Sequence, residues 1–131
     1  LDVDGVFIIE GRLAENAKEF LMFALKNYDC FWLSTYSKAG KIDLVLSMFS
    51  ECTGDDEFLN LVSQVKPCKW ERLKTEGIEL DQNFFWLDDR PTTEDLVKLS
   101  QSDRISSMIK INLKVDSQAL VKAKQRLDKE L

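Results

Sequence analysis

The chain has 131 residues, 44% of them apolar, and a formal net charge of −5, which suits one domain able to bury a core without metal or disulfide staples and argues against nucleic acid as its main partner. It contains no histidine, which excludes Ser-His-Asp hydrolysis, HExxH metalloprotease chemistry, cysteine–histidine zinc fingers and histidine phosphatases, and leaves acid–base work to carboxylates, lysine, tyrosine or cysteine. Cys30, Cys52 and Cys68 are odd in number and lack CxxC spacing, so free thiols in a reducing cytoplasm are expected; no apolar run reaches membrane-spanning length and no signal-peptide pattern is read.

Short apolar runs alternate with amphipathic stretches, which predicts an α/β fold with a mostly parallel sheet. Leu1–Val3 reads as the end of a first strand; the chain starts without Met, so the strand is expected to continue upstream. Val6–Ile9 followed by Gly11 reads as a small extended flap. Asn16–Tyr28 is predicted helical, with Ala17, Phe20, Leu21, Ala24, Leu25 and Tyr28 on one face. Cys30–Leu33 reads as a buried strand. Lys41–Ser50 is a second predicted helix with Ile42, Val45, Leu46 and Phe49 inward. Glu51–Glu57 reads as an acidic loop and Leu61–Val65 as a strand. Pro67–Gly77 carries a turn and a short helix ending near Gly77. Asn83–Leu87 reads as a strand, Thr92–Leu99 as a helix, and Met108–Leu113 as the last strand. Asp116 or Ser117 is expected to cap a final amphipathic helix reaching Leu131. Its Lys122, Lys124, Arg126 and Lys129 are interleaved with Asp128 and Glu130, the pattern of a solvated face.

Four places along the chain carry residue types suited to phosphate chemistry. Asp2-Val3-Asp4-Gly5 puts two carboxylates at the C-terminal end of a strand, pointing the same way, with Gly5 allowing a sharp turn. Acids that close repel, and a cation such as Mg²⁺ relieves the repulsion. An EF-hand loop does not fit, because Val6 and Phe7 occupy its fifth and sixth positions. Asn83–Leu87 runs into a second acid pair, Asp88-Asp89, and neighbouring strands would bring Asp2 and Asp88 around one metal ion. Cys30–Leu33 ends in the hydroxyl pair Ser34-Thr35. Trp70–Ile78 contains Lys74, with Lys69 as a competitor; Lys74 is preferred because it begins the Lys-Thr-Glu-Gly-Ile turn.

This order of acid pair, hydroxyl, lysine and acid pair resembles the four motifs of the haloacid dehalogenase superfamily of phosphohydrolases, across nearly the whole chain. It is similar above all to small bacterial members lacking a cap domain, although Val6 stands where many members carry Thr. The resemblance implies a three-layer Rossmann-like sandwich with a mostly parallel five-stranded sheet and no separate cap domain. It implies a Mg²⁺-dependent phosphatase with Asp2 as nucleophile and Asp4 as general acid and base. Ser34, Thr35 and Lys74 would bind the phosphoryl group. Asp2, Asp88 and the backbone carbonyl of Asp4 would hold the metal, with direct or water-mediated support from Asp89. The intervals between motifs leave no room for a cap, so an open site suited to a bulky phosphorylated substrate is expected unless a second copy of the chain covers it.

Rival patterns fit less well. Cys68 is followed at phosphate-loop spacing by Lys74 rather than Arg, and no GxxxxGK[ST] segment is present. A receiver domain would carry its phosphorylated Asp in mid-chain. The alternative from another class is a non-catalytic interaction protein that retains the fold.

Overall fold

The computed structural model describes residues Leu1–Leu131. In chain order it contains β1 (Ile8–Ile9), β2 (Arg12–Leu13), α1 (Ala17–Asn27), β3 (Phe31–Trp32), α2 (Asp43–Ser50), α3 (Asp56–Gln64), β4 (Lys66–Pro67), β5 (Trp86–Asp88), α4 (Thr93–Gln101), β6 (Met108–Lys110) and α5 (Ala119–Lys129), with single turns of 3-10 helix at Thr35–Ser37, Lys74–Gly77 and Ile105–Ser107.

The expected five-stranded, mostly parallel sheet does not form. The strands pair instead into three two-stranded sheets: β1 with β2 antiparallel, β3 with β4 parallel, and β5 with β6 parallel. The reason lies at the opening residues. Leu1 and Asp2 run between the two parallel pairs and bond to both: the Leu1 amine donates to the Phe31 carbonyl (2.8 Å), Leu33 N–H to the Leu1 carbonyl (2.7 Å), and Asp2 N–H to the Leu87 carbonyl (3.0 Å). The chain then turns at once, and the N–H groups of Val6, Phe7 and Ile8 fold back onto the Val3 carbonyl at 3.3, 2.9 and 3.2 Å. Because the chain turns at Val3, Leu1 and Asp2 make single bridging bonds to the two pairs rather than a ladder.

Alternation along the strands still sorts side chains onto two faces. Trp32 and Leu87 enter a large core with Val3, Phe7, Phe20, Phe49, Phe58 and Leu120, whereas their neighbours Leu33 and Trp86 join Trp70 and Leu99 in a smaller one. Phe7 is the hub of the large core, edge-on to Trp32, Phe20 and Phe49 with ring centroids 5.5, 5.7 and 6.3 Å away. Val3, Val6 and Phe7 are wholly buried, so burial on the order of 2 kcal/mol per side chain pins the Asp2–Gly5 turn from below. The flap expected at Val6–Ile9 and Gly11 contributes only its end, Ile8–Ile9, to the β1–β2 hairpin, whose second strand is Arg12–Leu13.

The helices form where apolar residues recur at three- and four-residue spacing. Ala17, Phe20, Leu21 and Ala24 are the buried face of α1, and Ala119, Leu120, Ala123 and Leu127 that of α5. α1 packs against α3 and α5, and α2 against α3. The strand expected at Leu61–Val65 is instead the end of α3. Phe58 and Val62 bury at i,i+4, and Asp55 caps the helix by accepting from Phe58 N–H (3.2 Å). Asp56 and Glu57 sit in the first turn, where the helix dipole favours acids. The acidic loop therefore ends as a helix start, and β4 follows it. At α5 the first helical residue is Ala119, and Asp116 instead accepts from Gln118 N–H (3.0 Å) in the turn before it.

Candidate active site

Asp2 of the first acid pair meets both acids of the second, whereas the Asp4 carboxylate, expected at the metal, lies outside the cluster. Asp2 and Asp88 are 7% and 1% exposed, and carboxylate oxygens of Asp2, Asp88 and Asp89 lie within 4.8 Å of one another. Asp2 and Asp88 are held by backbone N–H groups. Asp2 Oδ1 accepts from Val3 N–H (2.9 Å) and Asp88 Oδ1 from Arg90 N–H (3.0 Å). Gly5 has φ +79°, and a Cβ there would overlap the Asp89 side chain, so Asp89 occupies space that only glycine leaves open.

Lys74 is the cation at this cluster. Its Nζ lies 2.7 Å from Asp88 Oδ2 and 3.2 Å from Asp2 Oδ2. Lys69 is exposed, and its backbone forms an isolated bridge with Ala39. The ordering of the lysine turn comes from two carboxylates that the motif pattern does not include. Glu76 accepts from the N–H groups of Glu71, Arg72 and Leu73 at 3.0, 3.2 and 3.2 Å. Asp95, 1% exposed, accepts from Thr75 N–H and the Thr92 hydroxyl, both at 3.0 Å. Thr92 in turn caps α4, its Oγ1 accepting from Asp95 N–H (3.1 Å). The Thr-Thr-Glu-Asp spacing of Thr92–Asp95 is legible as a helix start; its reach to Thr75 is not.

The hydroxyl pair divides its labour. Ser34 is 1% exposed and caps the Thr35–Ser37 turn, its Oγ accepting from Tyr36 N–H (3.1 Å) while its carbonyl accepts from Trp70 Nε1–H (2.9 Å). Thr35 is exposed and faces the acids. Asp4 is also exposed, and its Oδ2 accepts from the Tyr36 hydroxyl (2.5 Å). Tyr36 thus holds Asp4 at the edge of the cluster, a contact the sequence pattern does not reveal. An open cavity of about 320 Å³ is lined by Asp2, Asp4, Thr35, Lys74, Asp88, Asp89 and Arg90, with no apolar residue among them.

Crowding of like charges in a buried place has the expected effect on protonation. Burial, then the charge of Asp88, pushes Asp2 up to about 7, with Lys74 pulling the other way. Asp89 is raised for the same two reasons. Burial alone would lower Lys74, but the charges of Asp2 and Asp88 outweigh it and raise the ammonium above its usual value. The cluster is thus short of positive charge, a deficit that a divalent cation would make up. Three carboxylates with hard oxygen donors and no sulfur or nitrogen ligand fit Mg²⁺ by donor chemistry.

No family model, curated protein or solved structure matches the chain. No helix is long and apolar enough to cross a membrane, and all three cysteines are free thiols.

Proposed function

We propose that this chain is a Mg²⁺-dependent phosphohydrolase that acts on a phosphomonoester through an aspartyl-phosphate on Asp2, as in the haloacid dehalogenase superfamily its motifs resemble. The observation that carries the reading is the convergence of Asp2, Asp88 and Asp89 within 4.8 Å, with Lys74 bonded to the first two. Acidic clusters alone are common. A buried one with a lysine bridging Asp2 and the strand-end Asp88, lining an apolar-free cavity, is an arrangement suited to phosphoryl transfer.

The chain's own groups divide the work as follows. Asp2, Asp88, Asp89 and the Asp4 carbonyl would hold the metal. When bound, Mg²⁺ supplies the positive charge that lets an anionic nucleophile approach an anionic phosphate. A carboxylate oxygen of Asp2 forms the new bond to phosphorus as the bond to the leaving oxygen breaks. Asp4 gives its proton to that oxygen, then takes one from the water that attacks phosphorus and frees Asp2. Tyr36 keeps Asp4 oriented for both steps. Lys74 offsets charge on Asp2 and the transferring group, and Thr35 offers its hydroxyl to phosphoryl oxygens, while Ser34, expected to share that role, is buried outside the cavity lining and caps the turn that carries Thr35. The unlidded cavity suits a bulky phosphorylated substrate, and a second copy of the chain could cover it. The three free thiols suit a cytoplasmic location.

The test is phosphate release from p-nitrophenyl phosphate. Release should require Mg²⁺, stop on chelation, and fall by about a thousand-fold or more in Asp2→Asn, which retains shape but loses the nucleophile. A folded protein that releases no phosphate with any divalent metal would instead be a non-catalytic interaction protein.

A further inference from the structure

Five arginines occur in the chain, at positions 12, 72, 90, 104 and 126. Four of them have their guanidinium engaged within the fold: Arg12 by Glu10, Arg72 by Glu94, Arg104 by Leu80, Asp81 and Asn83, and Arg126 by the Ser106 carbonyl. The Arg90 guanidinium takes part in no ion pair or hydrogen bond, yet Arg90 lines the acid cavity. Its main chain is not loose. Arg90 N–H bonds to Asp88 Oδ1 at 3.0 Å, Pro91 restricts the backbone on its other side, and Thr92 caps α4 directly after.

Charge in the cavity makes this odd at first sight. Four carboxylates and two cations line it, and Lys74 is already bound to Asp2 and Asp88 at 3.2 and 2.7 Å. Arg90 pairs with none of the four acids and is an exposed residue of the cavity wall. A planar guanidinium left unpaired at the rim of an apolar-free cavity is suited to bidentate capture of a carboxylate or phosphate brought in from outside.

We propose that Arg90 is a specificity residue that binds a second anionic group on the substrate, so that the preferred phosphomonoester carries another carboxylate or phosphate in its leaving portion. This rests on the phosphohydrolase reading. Lys74 and the metal meet the phosphoryl group under transfer, and Arg90 meets the other anion. The cavity wall has no apolar residue, which leaves charge as the means of discrimination.

Two measurements test this with separate outcomes. The first is the ratio of kcat/KM for meta-carboxyphenyl phosphate over phenyl phosphate, which differ by one carboxylate. The second is the ratio of affinities for methylenebisphosphonate over methylphosphonate in the presence of Mg²⁺, read by calorimetry. Wild type should favour the doubly anionic member of each pair. Arg90→Ala should reduce both ratios about 10- to 100-fold, the worth of one charge-assisted hydrogen-bonded pair, and Arg90→Lys should fall between. A carboxylate-only or phosphonate-only effect identifies which anion Arg90 receives. Ratios unchanged in Arg90→Ala, whether rates fall together or not at all, overturn the proposal while leaving hydrolysis standing. Absent hydrolysis with an Arg90-dependent bisphosphonate preference overturns the phosphohydrolase reading and retains the anion site. No preference in wild type by either measure also overturns it.

Discussion

At Gly5 the backbone takes φ +79° and a Cβ would collide with the Asp89 carboxylate. Both effects act against any side chain, and the second acts on a metal-ligand candidate. Gly5→Ala should therefore lose about 1–3 kcal/mol of stability from the left-handed backbone alone, and should also weaken Mg²⁺ binding by displacing Asp89. Urea unfolding and metal titration of the same variant separate the two effects. An unaltered metal affinity would mean that Asp89 is not needed for the ion. Arg90 belongs to this scale too, since its main chain serves Asp88 while the residue itself is exposed.

Among the elements, the Lys74–Gly77 turn is the one whose position decides the site. It is a single 3-10 turn, too short to hold itself, and it is tied down by Glu76 below the preceding loop and by Asp95 on α4. Removing the Asp95 acceptor would strand the Thr75 N–H, and Thr75 is itself buried. Asp95→Ala should cost about 1–3 kcal/mol and slow turnover by letting Lys74 wander, whereas Asp95→Asn keeps one oxygen for Thr75 and should retain most of the stability. Thermal melts and kcat for both variants give the comparison; equal losses in Asn and Ala would mean that the negative charge, not the acceptor oxygen, is what the turn needs. Likewise α3 is an element governed by packing: Phe58 and Val62 reach the aromatic core only as one helical face, which overrides the strand-like run of Leu61 and Val62.

For the whole molecule, the acid cluster links folding to pH. The folded-state value of Asp2, about 7, lies above its ordinary 3.8, so the folded chain binds a proton that the unfolded chain has released. Stability without metal should then decline as pH rises from about 4 to about 7 and stay reduced above that; Asp89, also raised, adds in the same direction. Asp2→Asn should flatten the slope and make the metal-free protein more stable than wild type at pH 8. Mg²⁺ should reverse the loss in wild type at that pH, adding about 2.7 kcal/mol at a hundred times its dissociation constant, and should do less in the variant. Melting temperature against pH, with and without Mg²⁺, reads all of this; a flat metal-free profile in wild type would show that Asp2 and Asp88 do not share a buried charge.

The sequence by itself determined where the chemistry-bearing residues fall: an acid pair at Asp2 and Asp4, a second directly after the apolar run that ends at Leu87, hydroxyls after Trp32-Leu33, and a lysine before the second acid pair. It also determined most helices, because burial at three- and four-residue spacing is written in the residues themselves. Tertiary structure alone decided the rest. Whether short runs become one sheet or several depends on hydrogen bonds between segments, and the strands pair two by two, with Leu1 and Asp2 making only single bonds to the β3 and β5 pairs. The sequence preferred Lys74 over Lys69 by the turn it begins, but that its side chain reaches Asp88 is visible only in the fold. The roles of Tyr36, Asp95 and Arg90 depend on neighbours 32, 20 and 2 positions away, and for the first two the pairing arises only when the chain has folded those segments together.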